Sequence, residues 1–246
     1  MKILVINLIS RPDRFLLFQK AWDWFYPIER IEGVLSDIPH TGCGLAHVAA
    51  IRKGLETHDA CLVLEDDARL NCSRETLVNI FSTIKYYKNT YDAVILGPVF
   101  DSNNPCEPKV VHKISNTFMT CSSTKSIESA SAVVWFRRCL PLIDIYEGLL
   151  KKGYIFPIDR MLTTFSWTAS DTIGWHKKYD ITHPFVELPI TPRVLIANKC
   201  FIYQESGLLS DNTREKSGDY LKASEEFLSR IYGDKTLGNN VRIIYH

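Results

Sequence analysis

Apolar and polar positions divide residues 1–100 into alternating strand-like and helix-like segments. Short apolar runs predict β-strands at residues 2–8, 61–64 and 93–96, and the more polar segment at residues 28–34 could be a further strand. Amphipathic spacing predicts helices between them, at residues 13–24, 42–56 and 73–87. This β-α-β-α-β order is typical of an α/β fold built on a mostly parallel, doubly wound sheet.

The second half of the chain is less regular. Its clearest segments are a strand at residues 131–137, a helix at 140–151 and an amphipathic helix at 220–232. No internal repeat and no long linker separates the two halves. We therefore expect a single domain over residues 1–246, with a regular half at 1–100 and a less regular half at 101–246.

Composition and charge narrow the function classes. The 246 residues carry a net charge of +1, which argues against a dedicated nucleic-acid binder. The seven cysteines are scattered and odd in number, as is typical of free thiols in a reducing compartment. The apolar start is short, is interrupted by Asn7 and has no cleavage site after it. No apolar run is long enough to span a bilayer, so we expect a cytoplasmic protein.

Three consecutive carboxylates, Glu65, Asp66 and Asp67, follow the buried strand at 61–64. The carboxyl end of such a strand is where open α/β sheets place their ligand crevices. Oxygen ligands suit Mg²⁺ or Mn²⁺, and a cation relieves the repulsion between the three charges. If strand geometry persists, Glu65 and Asp67 face one side and Asp66 faces the other. The alternative is an acidic turn that is merely solvated.

Two other patterns are weaker. Spacings between His40, Cys43 and His47, and between His58 and Cys61, resemble those of zinc ligands. We nevertheless expect no structural zinc there, because Cys61 opens a buried strand and four side chains would have to converge from separate elements.

The glycine pair of Gly42 and Gly44 precedes the helix at 42–56. It offers either free N–H groups for an anion or a close backbone approach. Simple N-capping of this helix by Thr41 is an equally good interpretation.

Arg11 and Arg14 follow the first strand and have the geometry to pair with phosphates. The alternative is that they are surface charges at a helix start. Hydrolase chemistry finds little support, because the sequence has no G-x-S-x-G motif. An aspartyl-phosphate enzyme would place acidic residues after the first strand, where this chain has Asn7 and Leu8.

Taken together, these segments resemble glycosyltransferase family 25, the lipopolysaccharide-type and collagen-type β-glycosyltransferases. The resemblance follows the order of the chain, with Ala46 in place of the family's usual serine. The matching segments are Ile6-Asn7-Leu8-x-x-Arg11-x-x-Arg14, Ile31-Glu32-Gly33, Gly42-Cys43-Gly44-Leu45-Ala46-His47, Leu64-Glu65-Asp66-Asp67-Ala68, residues 131–136, Pro157-Ile158-Asp159 and Gln204-Glu205-Ser206.

The resemblance implies a GT-A-like fold and an inverting transfer from a nucleotide-diphosphate sugar, a UDP-hexose for example, to a hydroxyl of a glycan or glycoconjugate. It implies that Glu65 and Asp67 bind Mn²⁺ or Mg²⁺. Residues 1–100 become the nucleotide-sugar-binding half, and residues 101–246 the acceptor side. The expected donor-binding residues are Asn7, Leu8, Arg11, Arg14, Gly42, His47 and Asp66.

The resemblance further places the catalytic base at Asp159, with Asp171 as the second candidate. Helix capping is the alternative role for Asp159. Two other functions remain open: a non-catalytic carbohydrate- or nucleotide-binding module on the same fold, and a glycosyltransferase that acts on modified DNA bases. Without the secretion signal of the collagen-type relatives, a bacterial or viral cytoplasmic enzyme is the best fit.

Overall fold

The computed structural model describes most of the chain. The described residues are 1–25, 27–98, 110–121, 130–154, 157–163, 166–167, 186–187, 191–205, 221, 222, 225 and 242–245. The helices are α1 (Pro12–Ala21), α2 (Pro39–Leu55), α3 (Arg74–Ile84), α4 (Leu140–Lys151) and α5 (Ile158–Thr163). The strands are β1 (Lys2–Asn7), β2 (Glu29–Glu32), β3 (Ala60–Glu65), β4 (Ala68–Leu70), β5 (Ala93–Ile95), β6 (Val110–Lys113), β7 (Phe118–Cys121), β8 (Ala132–Phe136), β9 (Ser166–Trp167), β10 (Val186–Glu187), β11 (Val194–Ala197), β12 (Ile202–Gln204) and β13 (Arg242–Tyr245).

A nine-stranded sheet forms the centre of the fold, in the order β13-β6-β7-β11-β5-β8-β3-β1-β2. Seven of its strands run in the same direction, and only β7 and β8 are reversed. The expected α/β fold with a mostly parallel sheet is therefore confirmed. β8 lies between β3 and β5 and is antiparallel to both.

Side chains of β3 alternate between the two faces of the sheet, as the period of a strand requires. Cys61 and Val63 belong to the core under α2, α4 and α5, whereas Leu62 and Leu64 belong to the core under α1 and α3. Helices thus cover both faces, which explains why this strand is apolar throughout. Glu65 is the next residue on the α2 side.

The predicted elements of the first half all form, with shifted ends. The start of α2 shifts from the predicted residue 42 to Pro39, because a proline at the first turn suits a helix start. Thr41 therefore does not cap this helix, and the backbone N–H of Gly42 bonds to the carbonyl of Ile38. The backbone N–H of Gly42 is therefore used within the helix and is not the free donor that the anion-binding interpretation requires.

The structure also contains strands that periodicity did not predict, in both halves of the chain. β4 follows β3 after a two-residue turn and pairs antiparallel with β12. The predicted segments at β8 and α4 form as expected. In the predicted helix at residues 220–232, residues 221, 222 and 225 are helical, and its remaining residues lie outside the described part. Within the ranges above, no helix combines the length and apolarity needed to cross a bilayer.

Candidate active site

The acidic residues Glu65, Asp66 and Asp67 lie at the carboxyl end of β3, but strand geometry stops at Glu65. Asp66 and Asp67 form the turn between β3 and β4. The turn directs Asp66 and Asp67 together toward α1, while Glu65 faces α2. The prediction that Glu65 and Asp67 share one face was therefore wrong, because it assumed that the strand continued.

On the α1 side, Arg14 is the counter-ion of both turn carboxylates. Its Nη2 contacts Oδ1 of Asp66 and lies 2.8 Å from Oδ2 of Asp67. The three side chains are 7–9% exposed. A buried guanidinium held by two carboxylates is neither a surface charge nor a group directed at a phosphate in solvent. Arg14 instead fixes the positions of Asp66 and Asp67.

Asn7, the last residue of β1, extends this network to the edge of the sheet. Its side-chain amide donates to Oδ2 of Asp66 at 2.6 Å and to the carbonyl of Arg11 at 2.9 Å. Arg30 donates to Oδ1 of Asn7, also at 2.6 Å. Asn7 is buried, so these bonds satisfy a polar group that would be costly to leave unpaired.

Gln204 completes the α1 side and was not among the expected site residues. It ends β12, and its side-chain amide donates to Oδ2 of Asp67 at 3.0 Å. The backbone N–H of Glu205 donates to the carbonyl of Asp67 at 2.9 Å. The family-like segment Gln204-Glu205-Ser206 was the only sequence feature that could have placed Gln204 here.

Asp67 is electrostatically the most perturbed member of the site. Burial and the charge of Glu65 raise the pKa of Asp67 to about 7, although Arg14 and Gln204 oppose this shift. Oδ2 accepts hydrogen bonds from Arg14 and Gln204, whereas Oδ1 is buried and has no hydrogen-bond partner among the described residues. A buried carboxylate oxygen without a donor, near a second carboxylate, is an environment that a cation would stabilise.

On the α2 side, His47 and Cys43 contact Glu65. Nε2 of His47 lies 3.1 Å from Oε1 of Glu65, and Sγ of Cys43 lies 3.8 Å from the same oxygen. Burial alone would raise the pKa of Glu65. The hydrogen bond and charge of His47 outweigh this effect, so the pKa of Glu65 lies below its usual value. His47 therefore binds a carboxylate of the acidic cluster, and the structure does not direct its ring outward.

Asp159 lies in the first turn of α5, which packs against α2. Burial raises the pKa of Asp159 to about 6, and the charge of Glu65 adds to the rise. The backbone N–H of Arg160 donates to Oδ1 of Asp159 and opposes it. Because α5 begins one residue earlier, at Ile158, Asp159 does not occupy the N-cap position. Asp171 lies outside the described residues.

Two further predicted donor residues, Leu8 and Arg11, follow β1. The carbonyl of Leu8 accepts the backbone N–H of Arg11 at 2.9 Å, which makes a tight turn into α1. The guanidinium of Arg11 is 22% exposed and forms a long ion pair with Asp13, at 3.3 Å. Arg11 is therefore more accessible than Arg14 and borders the carboxyl end of β1.

Gly33 and Gly42 explain the close packing around these loops. A Cβ on Gly42 would lie 2.3 Å from the carbonyl oxygen of Val34, and one on Gly33 would lie 2.8 Å from Cδ2 of Leu8. Gly42 is required for the close approach of the Val34 backbone, whereas at Gly33 the nearest atom belongs to the flexible Leu8 side chain. Of the two interpretations of Gly42, the structure supports close backbone approach.

Known proteins give only distant likenesses. No sequence profile of a known family matches the chain, and no curated protein sequence matches it. A solved glycosyltransferase involved in glycosylation of the major capsid of PBCV-1 is similar over 92% of this chain and 97% of its own, at 9% identity and a TM-score of 0.42. An active-site mutant of LgtC gives the same identity and TM-score over 94% and 96% of the two chains.

A third similar structure is the 4-diphosphocytidyl-2C-methyl-D-erythritol synthase of Anaerococcus prevotii. It matches 94% of this chain and 78% of its own, at 9% identity and a TM-score of 0.39. All three TM-scores lie below 0.5, so these likenesses carry no information about function. The function has to be inferred from the side chains of the site.

Proposed function

We propose that this chain is a metal-dependent, inverting glycosyltransferase of the family 25 type, with a GT-A-like fold. It transfers a sugar from a nucleotide-diphosphate donor, a UDP-hexose for example, to a hydroxyl of a glycan or glycoconjugate. The observation that carries the proposal is Asp67, a buried carboxylate with one oxygen lacking a donor and a pKa of about 7. Perturbed carboxylates of this kind concentrate at functional sites.

The charges at the site fit a divalent cation. Glu65, Asp66 and Asp67 contribute three negative charges when ionised, and Arg14 contributes one positive charge, which leaves a net charge of −2. Although Glu65 contacts α2 and Asp67 contacts α1, Glu65 exerts the largest charge effect on Asp67, so the two carboxylates lie near each other. These two residues are proposed to hold the cation, Mn²⁺ or Mg²⁺, through oxygen atoms at the end of β3. When bound, such a cation stabilises the charge of a departing diphosphate. Arg14, Asn7 and Gln204 keep the turn in position through the contacts described above.

Asp159 supplies the base for this reaction. An inverting transfer is a single displacement in which a carboxylate accepts the proton of the acceptor hydroxyl. A pKa of about 6 leaves Asp159 mostly ionised at neutral pH and makes it a stronger base than an ordinary aspartate. Asp171 stays the second candidate for this role.

Arg11 and the loop that contains Leu8 are proposed to contact the donor. Arg11 is partly exposed at the carboxyl end of β1, and a guanidinium pairs well with phosphate oxygens. Asn7, Asp66 and His47 act from behind this surface, because each is buried and bonded to a neighbour. In this proposal their role is to position the groups that touch the donor.

A thermal-shift panel tests the proposal directly. UDP-, GDP- and CMP-sugars are added with and without Mn²⁺ or Mg²⁺, and the same panel is run on Asp67→Asn. A ligand at 100 times its dissociation constant should add about 2.7 kcal/mol of stability to the wild type. We expect a metal-dependent shift with one nucleotide class, and no metal dependence in the variant.

Product analysis separates transfer from binding. If a nucleotide-sugar binds but is neither hydrolysed nor used to glycosylate an acceptor, the chain is a binding module and the enzymatic proposal fails. A shift that is the same with a chelator, or the same in Asp67→Asn, would refute the metal dependence.

A further inference from the structure

Three donor atoms of different chemistry meet beneath the end of β3, on the side away from Arg14. Cys43 and His47 are four residues apart on α2, so their side chains share one face of the helix. Glu65 reaches this face from β3. One ligand atom from each of the three residues lies within 4.8 Å of the other two.

We propose that Cys43, His47 and Glu65 form a second metal site, specific for a borderline-soft divalent cation of the Zn²⁺ class. It lies apart from the oxygen site that includes Asp67. The proposal goes beyond sugar transfer and does not depend on it. It also departs from the expectation that the zinc-like spacing of His40, Cys43 and His47 was accidental, because that spacing did not include Glu65.

The distances at Glu65 suit tetrahedral coordination. Zn²⁺ bonds of 2.0–2.3 Å with tetrahedral angles separate neighbouring ligand atoms by about 3.3–3.6 Å. The nitrogen of His47 and the sulfur of Cys43 lie 3.1 Å and 3.8 Å from Oε1 of Glu65. These separations bracket the required range, so small side-chain movements would admit an ion.

The chemistry of the ligands determines the metal class. A thiolate and an imidazole favour Zn²⁺ and Co²⁺, whereas Mg²⁺ prefers an all-oxygen shell. One carboxylate and one thiolate also balance the charge of a divalent ion, since an imidazole that ligates a metal is neutral. Binding converts the thiol of Cys43 to a thiolate, so a proton is released.

The side chains around the site are buried and closely packed. His47 is fully buried, and Cys43 is half-buried. Between them, Gly44 has no side chain, and the hydroxyl of Tyr146 occupies that space, 2.5 Å from where a Cβ would lie. A packed wall of this kind holds the metal-binding side chains in place. Three protein ligands leave the fourth tetrahedral position for water.

Glu65 is shared between the two proposed sites without conflict. Both contacts on the α2 side use the same oxygen, Oε1. A carboxylate has two oxygens and can ligate two cations. The two sites can still be separated experimentally, because Cys43 belongs only to one and Asp67 only to the other.

Titration of the metal-free full chain with Co²⁺ tests the proposal. A thiolate bound to Co²⁺ gives an intense near-ultraviolet charge-transfer band, and Zn²⁺ should displace it, whereas Mg²⁺ should not. We expect Cys43→Ser to abolish the band and to weaken Zn²⁺ binding by at least about 100-fold, since even outer-shell changes cost 10- to 100-fold. Glu65→Gln should weaken Zn²⁺ binding as well.

Two matched variants complete the experiment. Cys72→Ser removes another half-buried thiol, which lies outside α2 in the sequence. This variant should keep the band. Asp67→Asn should also keep it, which distinguishes this site from the one proposed for sugar transfer. Survival of the band in Cys43→Ser, its loss in Cys72→Ser, or displacement by Mg²⁺ would overturn the proposal.

A measurement on the wild type covers the case in which Cys43→Ser fails to fold. Alkylation of Cys43 by iodoacetamide is followed by mass spectrometry with and without Zn²⁺. We expect at least a tenfold slower reaction at Cys43 with the metal and an unchanged rate at Cys72. Equal rates at Cys43 with and without Zn²⁺ would refute the site.

Discussion

Nη2 of Arg14 lies 2.8 Å from Oδ2 of Asp67, and each of these side chains is 7% exposed. The same guanidinium contacts Asp66. Removing one member of a buried ionic group leaves its partners unpaired at low dielectric, which costs about 3–5 kcal/mol. We therefore expect Arg14→Met to lower the free energy of unfolding by about this amount in urea denaturation at pH 7.

Arg52 provides the matched control for that loss. It also binds two carboxylates, Asp144 and Glu147, each at 2.6 Å, but its side chain is 41% exposed. Exposed ion pairs are worth about 0–1 kcal/mol, so Arg52→Met should have only a small effect. Similar losses in the two variants would mean that burial does not decide the role of Arg14.

Two glycines on helices separate packing from helix propensity. Gly42 in α2 has the Val34 carbonyl oxygen 2.3 Å from the position of a Cβ, whereas Gly148 in α4 has nothing within 4 Å. Alanine at a free helical site gains about 0.5–1 kcal/mol. We expect Gly148→Ala to raise the melting temperature, and Gly42→Ala to lower it by overpacking that costs about 1–3 kcal/mol. Stabilisation by both substitutions would contradict the close approach at Gly42.

Asp159 should control both the rate and its pH dependence. Because the base must be ionised, kcat/KM should fall about tenfold per pH unit below about pH 6, the value to which burial raises the pKa of Asp159. Asp159→Asn should lower kcat by about 10²- to 10⁴-fold and leave donor affinity nearly unchanged. The product should have the anomeric configuration opposite to that of the donor. A variant that keeps most of its activity would remove Asp159 from the mechanism.

The same carboxyl group makes a prediction about stability that needs no substrate. Asp159 holds its proton up to about pH 6 in the folded protein, whereas its usual pKa is 3.8. Between these values the folded state binds more protons than the unfolded state, so this contribution to stability is present below about pH 4 and is lost as the pH rises through 6. The unfolding free energy of the wild type minus that of Asp159→Asn should decrease as the pH rises across this window. A constant difference would show that the pKa of Asp159 is not raised.

Arg11 should matter for the donor and not for the fold. A charge-assisted hydrogen bond to phosphate is worth about 1.5–3 kcal/mol, so Arg11→Ala should weaken donor binding about 10-fold or more, as measured by calorimetry. Acceptor affinity should not change. Lys20→Ala, at the far end of α1 and exposed, is the control and should leave donor binding intact. Equal effects of the two substitutions would place the donor elsewhere.

The regular half of the fold follows from its hydrophobic pattern, and the details of the site do not. Apolar runs predicted β1, β3 and β5 because strands that are buried on both faces consist almost entirely of apolar residues. The turn at Asp66 was not predictable, since nothing in three consecutive acidic residues shows where strand geometry ends. The opposite directions of Glu65 and Asp67 depend on that one backbone change.

Contacts between residues that are distant in sequence could not be predicted from the hydrophobic pattern either. Arg14 was expected to bind donor phosphates, with a surface charge as the alternative, because a basic residue in a first helical turn is normally solvated. Its burial depends on the turn between β3 and β4, which brings Asp66 and Asp67 into contact with Arg14 on α1. Gln204 enters the site through the antiparallel pairing of β12 with β4, which no local periodicity encodes.

The position of β8 between β3 and β5 affects how the chain folds during its synthesis on the ribosome. β8 is translated after both neighbours. Among the described strands, β5 pairs with β8 and with β11, which is translated later still. A nascent chain that has emerged through Ile95 therefore carries an open, wholly apolar edge on β3 and a β5 with no neighbour. Such edges recruit other strands, so chaperone protection should be needed until residue 136 is out of the ribosome. A fragment of residues 1–100 should aggregate when expressed alone.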